Sequence, residues 1–144
     1  MKRLKISEVL DRTARAVTNE ARVKILKENN SLALRDVLRA SFDDTIIFSL
    51  PEGIPPFKSY LSNANIPPTD LTRSTPLFNY FIKGGKGDRL TPARREKMFI
   101  GLLEGIDPQD AEVVCAMKDK KLHEKFPGIT KELVKEVWPK LILR

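Results

Sequence analysis

Ser31-Leu32-Ala33-Leu34-Arg35-Asp36-Val37-Leu38-Arg39-Ala40-Ser41-Phe42 sets Leu34, Val37, Leu38, Ser41 and Phe42 at positions i, i+3, i+4, i+7 and i+8. That spacing lays one apolar stripe along one side of an α-helix. Ser31 stands just ahead of it, where a hydroxyl accepts a hydrogen bond from a first-turn amide that has no partner inside the helix. Upstream, Ile6, Val9, Leu10, Thr13, Ala14 and Val17 repeat at the same period with Ser7 as the expected cap, and Ala21, Ile25 and Leu26 carry a second, shorter stripe. Residues 1–42 therefore read as three short helices.

Downstream, the period fails from Asp43 to Asp70, where Pro51, Pro55, Pro56, Pro67 and Pro68 exclude helix interiors. Thr45-Ile46-Ile47-Phe48 reads either as one extended segment or as the end of the third helix. Residues 43–75 are expected to form an ordered connection, because Ile47, Phe48, Leu50, Ile54, Phe57 and Tyr60 offer apolar anchors. Leu77, Tyr80, Phe81 and Ile82 predict a short helix after Pro76 that ends in Gly84-Gly85. Thr91-Pro92 and Asp107-Pro108 are N-cap and first-turn pairs. The first opens a helix with Phe99, Leu102, Leu103 and Ile106 inward; the second opens one with Val113, Val114 and Met117 inward and Asp110 near its positive end. Thr130 caps a final helix whose Leu133, Val134, Val137 and Trp138 face inward until Pro139. The expectation is an all-α fold: a compact bundle of about six to eight short helices, one domain over 1–144, with helices in 1–42 and 76–144 and a Pro-rich ordered connection between.

At 144 residues, with 41% apolar and 31% charged side chains, the chain is long enough to bury one core without disulfides. Its 26 Lys and Arg against 19 Asp and Glu give a net charge of +7, which favours a polyanionic partner, nucleic acid or an acidic membrane surface. Met1 to Ile6 alternates basic and apolar residues and lacks the apolar core of a signal peptide, and no stretch approaches a membrane span. A cytoplasmic protein is expected.

Catalytic chemistry finds little to stand on. Gly84-Gly85-Lys86-Gly87 lacks the upstream glycine and the following Ser or Thr of a phosphate-binding P-loop, so a flexible turn is the better reading. Asp43-Asp44 and Asp107 with Asp110 sit where carboxylates cap helices rather than shuttle protons. Cys115 and His123 are the sole cysteine and histidine, too few for a zinc site; Cys115 reads as core and His123 as a solvated side chain. Trp138 and Phe126 are the candidates for stacking on a base, but Trp138 falls on the apolar stripe of the last helix and reads as core, and aromatics are only 7% of the chain. No enzyme and no cofactor is expected.

Basic clusters are more informative. Lys83, Lys86, Arg89, Arg94, Arg95 and Lys97 are offset by only Asp88 and Glu96, a net +4 across residues 83–97, and Lys118, Lys120, Lys121 and Lys125 form a second group. Each is either a solvated face or, if the two converge near the helix start at Thr91, part of a phosphate-positioning surface.

Both ends of the chain resemble the helical N-terminal DNA-binding domain of ATP-dependent DNA ligases, in particular those of tailed bacteriophages. Ala21-Arg22-Val23-Lys24-Ile25-Leu26-Lys27-Glu28-Asn29 is similar to that domain's "ILEKN" helix. Asp110-Ala111-Glu112-Val113-Val114, Lys120-Lys121-Leu122, Gly128-Ile129-Thr130 and Val137-Trp138-Pro139-Lys140-Leu141-Ile142 follow its acidic helix, Arg-Asp-Leu step, Gly-x-Ser/Thr turn and "VWPGLI" ending. The resemblance implies a helical bundle that grips duplex DNA by its phosphates, with Gly128 and Thr130 as contacts and Lys120 and Lys121 beside them. Two departures stand out: Lys120-Lys121-Leu122 replaces Arg-Asp-Leu, and His123–Pro127 is longer than the family's connection. There is no Lys-x-Asp-Gly nucleophile and no counterpart of the adenylation and oligonucleotide-binding domains, so sealing is not expected.

The candidate DNA-binding set is Lys118, Lys120, Lys121, Gly128, Thr130, Lys131, Lys86, Arg89, Arg94 and Arg95. The functional expectation is a non-catalytic accessory protein that binds duplex DNA with little sequence preference, in a phage-infected bacterial cell. The alternative is an adaptor using the face around Ile54 to Tyr60 to bind a replication, transcription or virion protein of phage or host.

Overall fold

Eight α-helices form the framework of the computed structural model, which describes residues 3–59 and 67–144. They are α1 (Ile6–Arg15), α2 (Asn19–Glu28), α3 (Leu32–Phe42), α4 (Leu71–Ser74), α5 (Pro92–Gly105), α6 (Pro108–Lys118), α7 (Leu122–Lys125) and α8 (Lys131–Val137). Tighter 3-10 turns cover Thr75–Tyr80 and Lys86–Arg89. Among the described residues the sole β pairing is an isolated antiparallel bridge between Phe48 and Ile82.

The centre is α3. Its predicted stripe, Leu34, Val37, Leu38, Ser41 and Phe42, is buried in full, and the Ser31 hydroxyl accepts from the Leu34 amide at 3.1 Å. This face packs on α6, α4 and the 3-10 turn; α1 packs on α2 and α6, α2 on α8, and α5 on α6. Leu10, Leu38, Leu103, Met117 and Ile129 are fully buried where these helices meet, each stabilising the fold by about 1.5–3 kcal/mol relative to an exposed side chain. Thr91 and Asp107 cap α5 and α6, and Phe99, Leu102, Leu103, Ile106, Val113, Val114 and Met117 all face inward.

Several local expectations change. Lys5, not Ser7, is the N-cap of α1; Ser7 is buried within the first turn, its amide donating to Asp110 Oδ1 at 2.9 Å. Val17 lies beyond the end of α1 and is 92% exposed, because the chain must leave the core there to reach α2. Thr45–Phe48 is the extended alternative: Lys83 N donates to Ile47 O and Ser49 N to Phe81 O, both at 2.7 Å. Phe48, Leu50 and Phe57 anchor the connection, whereas Ile47 and Ile54 are exposed and Tyr60 lies outside the described residues. Helix resumes at α4, inside the predicted connection, and Phe78 with Phe81 carries the packing after Pro76 while Leu77 is exposed. Residues 122–125 form α7, unforeseen because four residues show no period; Leu122 and Phe126 hold it to the core. Trp138 is half-buried at the end of α8 rather than on its inward stripe.

Candidate nucleic-acid interface

Four of the expected DNA contacts turn inward or serve the fold. Lys118, the last residue of α6, has a side chain only 2% exposed; its Nζ donates to Pro51 O and Gly53 O at 2.8 and 2.9 Å and to Asp119 Oδ1. Asp119 in turn accepts from the Gly53 amide, so one ion pair holds both the N–H and the C=O of Gly53. Lys120 ends the same helix in a left-handed conformation, φ 59°, with Lys121 N donating to Ala116 O and Lys120 N to Met117 O. That is a helix-terminating motif whose left-handed position glycine usually fills. Lys120 Nζ then donates to Ala40 O and Asp43 O, at the negative end of α3, and burial lowers its pKa. Arg95 donates from Nε to Ser49 O at 3.1 Å and from Nη1 to Gly87 O and Leu90 O. Thr130 caps α8, its hydroxyl accepting from Leu133 N.

The physical reason is shared. A Pro-rich connection has few partners for its own carbonyls, and a buried carbonyl without a donor is costly. Long cations reaching from α5 and α6 supply those donors. Lys118, Lys120 and Arg95 are thus corrected from phosphate contacts to clamps on protein carbonyls.

Two others are lightly held. Lys131 Nζ lies 3.1 Å from Asp44 and Lys121 Nζ 3.7 Å from Glu52, exposed pairs of small energetic weight. Gly128 adopts φ +100°, and a Cβ there would lie 3.1 Å from Arg22 Nε. Arg22 Nε is itself buried without a hydrogen-bond partner among the described residues, so an arginine from α2 lies against the turn.

Lys86, Arg89 and Arg94 remain outward. With Lys83 and Lys97 they make five exposed cations between residues 83 and 97, none in an ion pair among the described residues. Lys86 and Arg89 are three apart on a 3-10 turn and so project the same way. Arg94 and Lys97 are three apart on α5 and share a side. Arg95 ties the two pieces together, since its guanidinium reaches Gly87 O and Leu90 O from α5. Gly87 is packed so closely that a Cβ would fall 1.7 Å from Tyr80 O, which makes glycine obligatory there. The turn is no phosphate cradle: Gly84 N donates to Asp88 Oδ2, Lys86 N to Asn79 Oδ1 and Gly85 N to Ile82 O.

Elsewhere, burial pushes the Cys115 thiol up to about 11 and raises Asp110 and Asp36. A thiol so raised is protonated at neutral pH and a poor nucleophile. Among the described residues no group of three or more His, Cys, Asp or Glu is placed to hold a metal ion, and no helix is long and apolar enough to cross a membrane.

These features define a helical protein with a run of five exposed cations, unpaired among the described residues, between residues 83 and 97. Residues 9–124 match the model of a family of unknown function, DUF6433, and the chain belongs to that family. The matched range stops before the Gly128–Ile142 stretch. Comparison with curated proteins gives no match.

Proposed function

We propose that this protein is a non-catalytic, sequence-tolerant binder of duplex DNA, an accessory rather than an enzyme. The observation that carries the reading is the group of Lys83, Lys86, Arg89, Arg94 and Lys97, exposed and unpaired among the described residues on a turn and a helix start that Arg95 ties together. Cations held this way neutralise phosphates and release counterions, an affinity with no base readout in it. The ligase-like turn at Gly128, with Arg22 against it, and the loosely paired Lys121 and Lys131 supply a second set of contacts under the same reading.

Fluorescence anisotropy of a labelled duplex of about 20 bp at about 50 and 200 mM salt tests it. The expected result is micromolar or tighter binding at the lower salt, insensitive to sequence and falling steeply at the higher. Lys86→Glu/Arg89→Glu/Arg94→Glu should weaken it by roughly a hundredfold, while Lys121→Glu/Lys131→Glu reports the Gly128 side. No binding at the lower salt defeats the proposal.

One observation favours a second reading, an adaptor for another protein. A groove of about 450 Å³ between the connection and α5 is lined by Leu50, Ile54, Pro55, Phe99 and Ile100, and Ile54 is 70% exposed at its edge. Salt-insensitive capture of a replication, transcription or virion protein, lost on Ile54→Asp, would support it.

A further inference from the structure

A second groove runs beside the Lys86–Arg89 turn. Tyr80 and Asn79 form one wall and Lys86, Asp88 and Arg89 the other, with the Gly84-Gly85 backbone between them. Tyr80 is half-buried and packed against the core, so its position is set from behind. Both walls are locked to each other: Lys86 N donates to Asn79 Oδ1 at 2.8 Å, and the Gly87 backbone lies directly against the Tyr80 carbonyl. Lys86 and Arg89 are exposed and have no ion pair among the described residues.

An aromatic residue beside two exposed cations on a braced turn suits a ligand that carries a flat ring and a phosphate together. Bases inside a duplex are stacked on one another and offer a protein surface only their edges and their phosphates, not a face for Tyr80. A base released from the stack offers its face. We propose that this groove is a subsite for an unpaired nucleotide at a DNA end, gap or single-stranded extension, with the base against Tyr80 and its phosphates on Lys86 and Arg89. The inference rests on the DNA-binding reading and adds a structural preference to it. Because every base has such a face, the subsite tolerates any of them. Because the turn is already joined to Asn79 and Tyr80, its backbone needs little ordering on binding.

Three anisotropy probes test it: a blunt duplex, the same duplex with a 3′ extension of about four thymidines, and oligo-dT alone. The extension should tighten binding of the wild type about five- to tenfold. Tyr80→Ala should remove that gain and leave blunt-duplex affinity unchanged, and Tyr80→Phe should keep the gain. Should Tyr80→Ala not fold, Lys86→Ala/Arg89→Ala must weaken the extended probe more than the blunt one. Equal wild-type affinity for the blunt and extended probes, or a gain that survives in folded Tyr80→Ala, overturns the subsite and leaves duplex binding standing. Failure of all three probes to bind overturns both.

Discussion

Lys118→Ala is expected to cost about 3–5 kcal/mol of folding stability, the loss typical of one partner removed from a buried ion pair. Lys118 and Asp119 side chains are only 2% and 9% exposed, and the lysine also serves Pro51 O and Gly53 O. Removal leaves the buried Asp119 carboxylate without its counter-charge, with only the Gly53 amide still donating to it, and takes the shared donor from two carbonyls. Since a domain of this size is stable by only about 5–15 kcal/mol, urea denaturation should show a large fall in midpoint. Lys121→Ala, which loses only a 3.7 Å pair with 79%-exposed Glu52, should change stability by less than about 0.5 kcal/mol. Equal effects from the two substitutions would refute the clamp. Lys118→Ala should also raise proteolysis within 49–59, because the clamp holds that segment to α6.

Asp43→Ala is the second large loss, about 3 kcal/mol or more. This carboxylate is fully buried, accepting from Thr45 N and Oγ1 through Oδ1 and from Leu143 N through Oδ2. Asp44 N donates to Arg144 O at 2.7 Å, so the corner after α3 is also where the last residues attach. Burial by itself would raise the Asp43 pKa, but the hydrogen bonds from Thr45 and Leu143 outweigh it and hold the group below its ordinary 3.8. A depressed carboxylate pKa contributes stability that is present above the unfolded-state pKa and lost as pH falls through the folded-state one. The gap between wild type and Asp43→Ala should therefore be full at neutral pH and close progressively below about pH 4. A gap independent of pH would refute the role of the charge. Hydrogen exchange at the Leu143 amide should accelerate in the variant before the α3 amides do.

How far the sequence was readable follows from the range of each interaction. Ser31, Thr91, Asp107 and Thr130 were all legible as caps, because a cap joins a side chain to an amide two or three residues on. The stripes of α3, α5 and α6 were legible because burial of one helical face repeats with the helix itself. Ser7 misled because two polar residues stood near the start of α1, and the choice went to Lys5 through Glu8, which accepts from the Lys5 amide. The four-residue α7 was too short for any period to show.

The candidate site was legible only as charge. Net charge and its clustering belong to the chain, so a basic cluster across 83–97 was visible in advance; the all-helical class was as well, since it needs only periodicity and caps. Which cations face outward is a different matter. Lys118 and Lys86 are the same residue type, and each sits in a Lys-rich cluster. One is 65 and 67 residues from the carbonyls it holds, while the other extends from a turn and donates to no carbonyl among the described residues. Local composition carries no trace of a partner so distant in the chain. Sequence alone therefore determined the longer helices, the caps at Ser31, Thr91, Asp107 and Thr130, and the sign of the net charge. Tertiary structure decided which lysines and arginines are structural donors and which remain outward, because only packing brings the orphaned carbonyls of a proline-rich connection beside them.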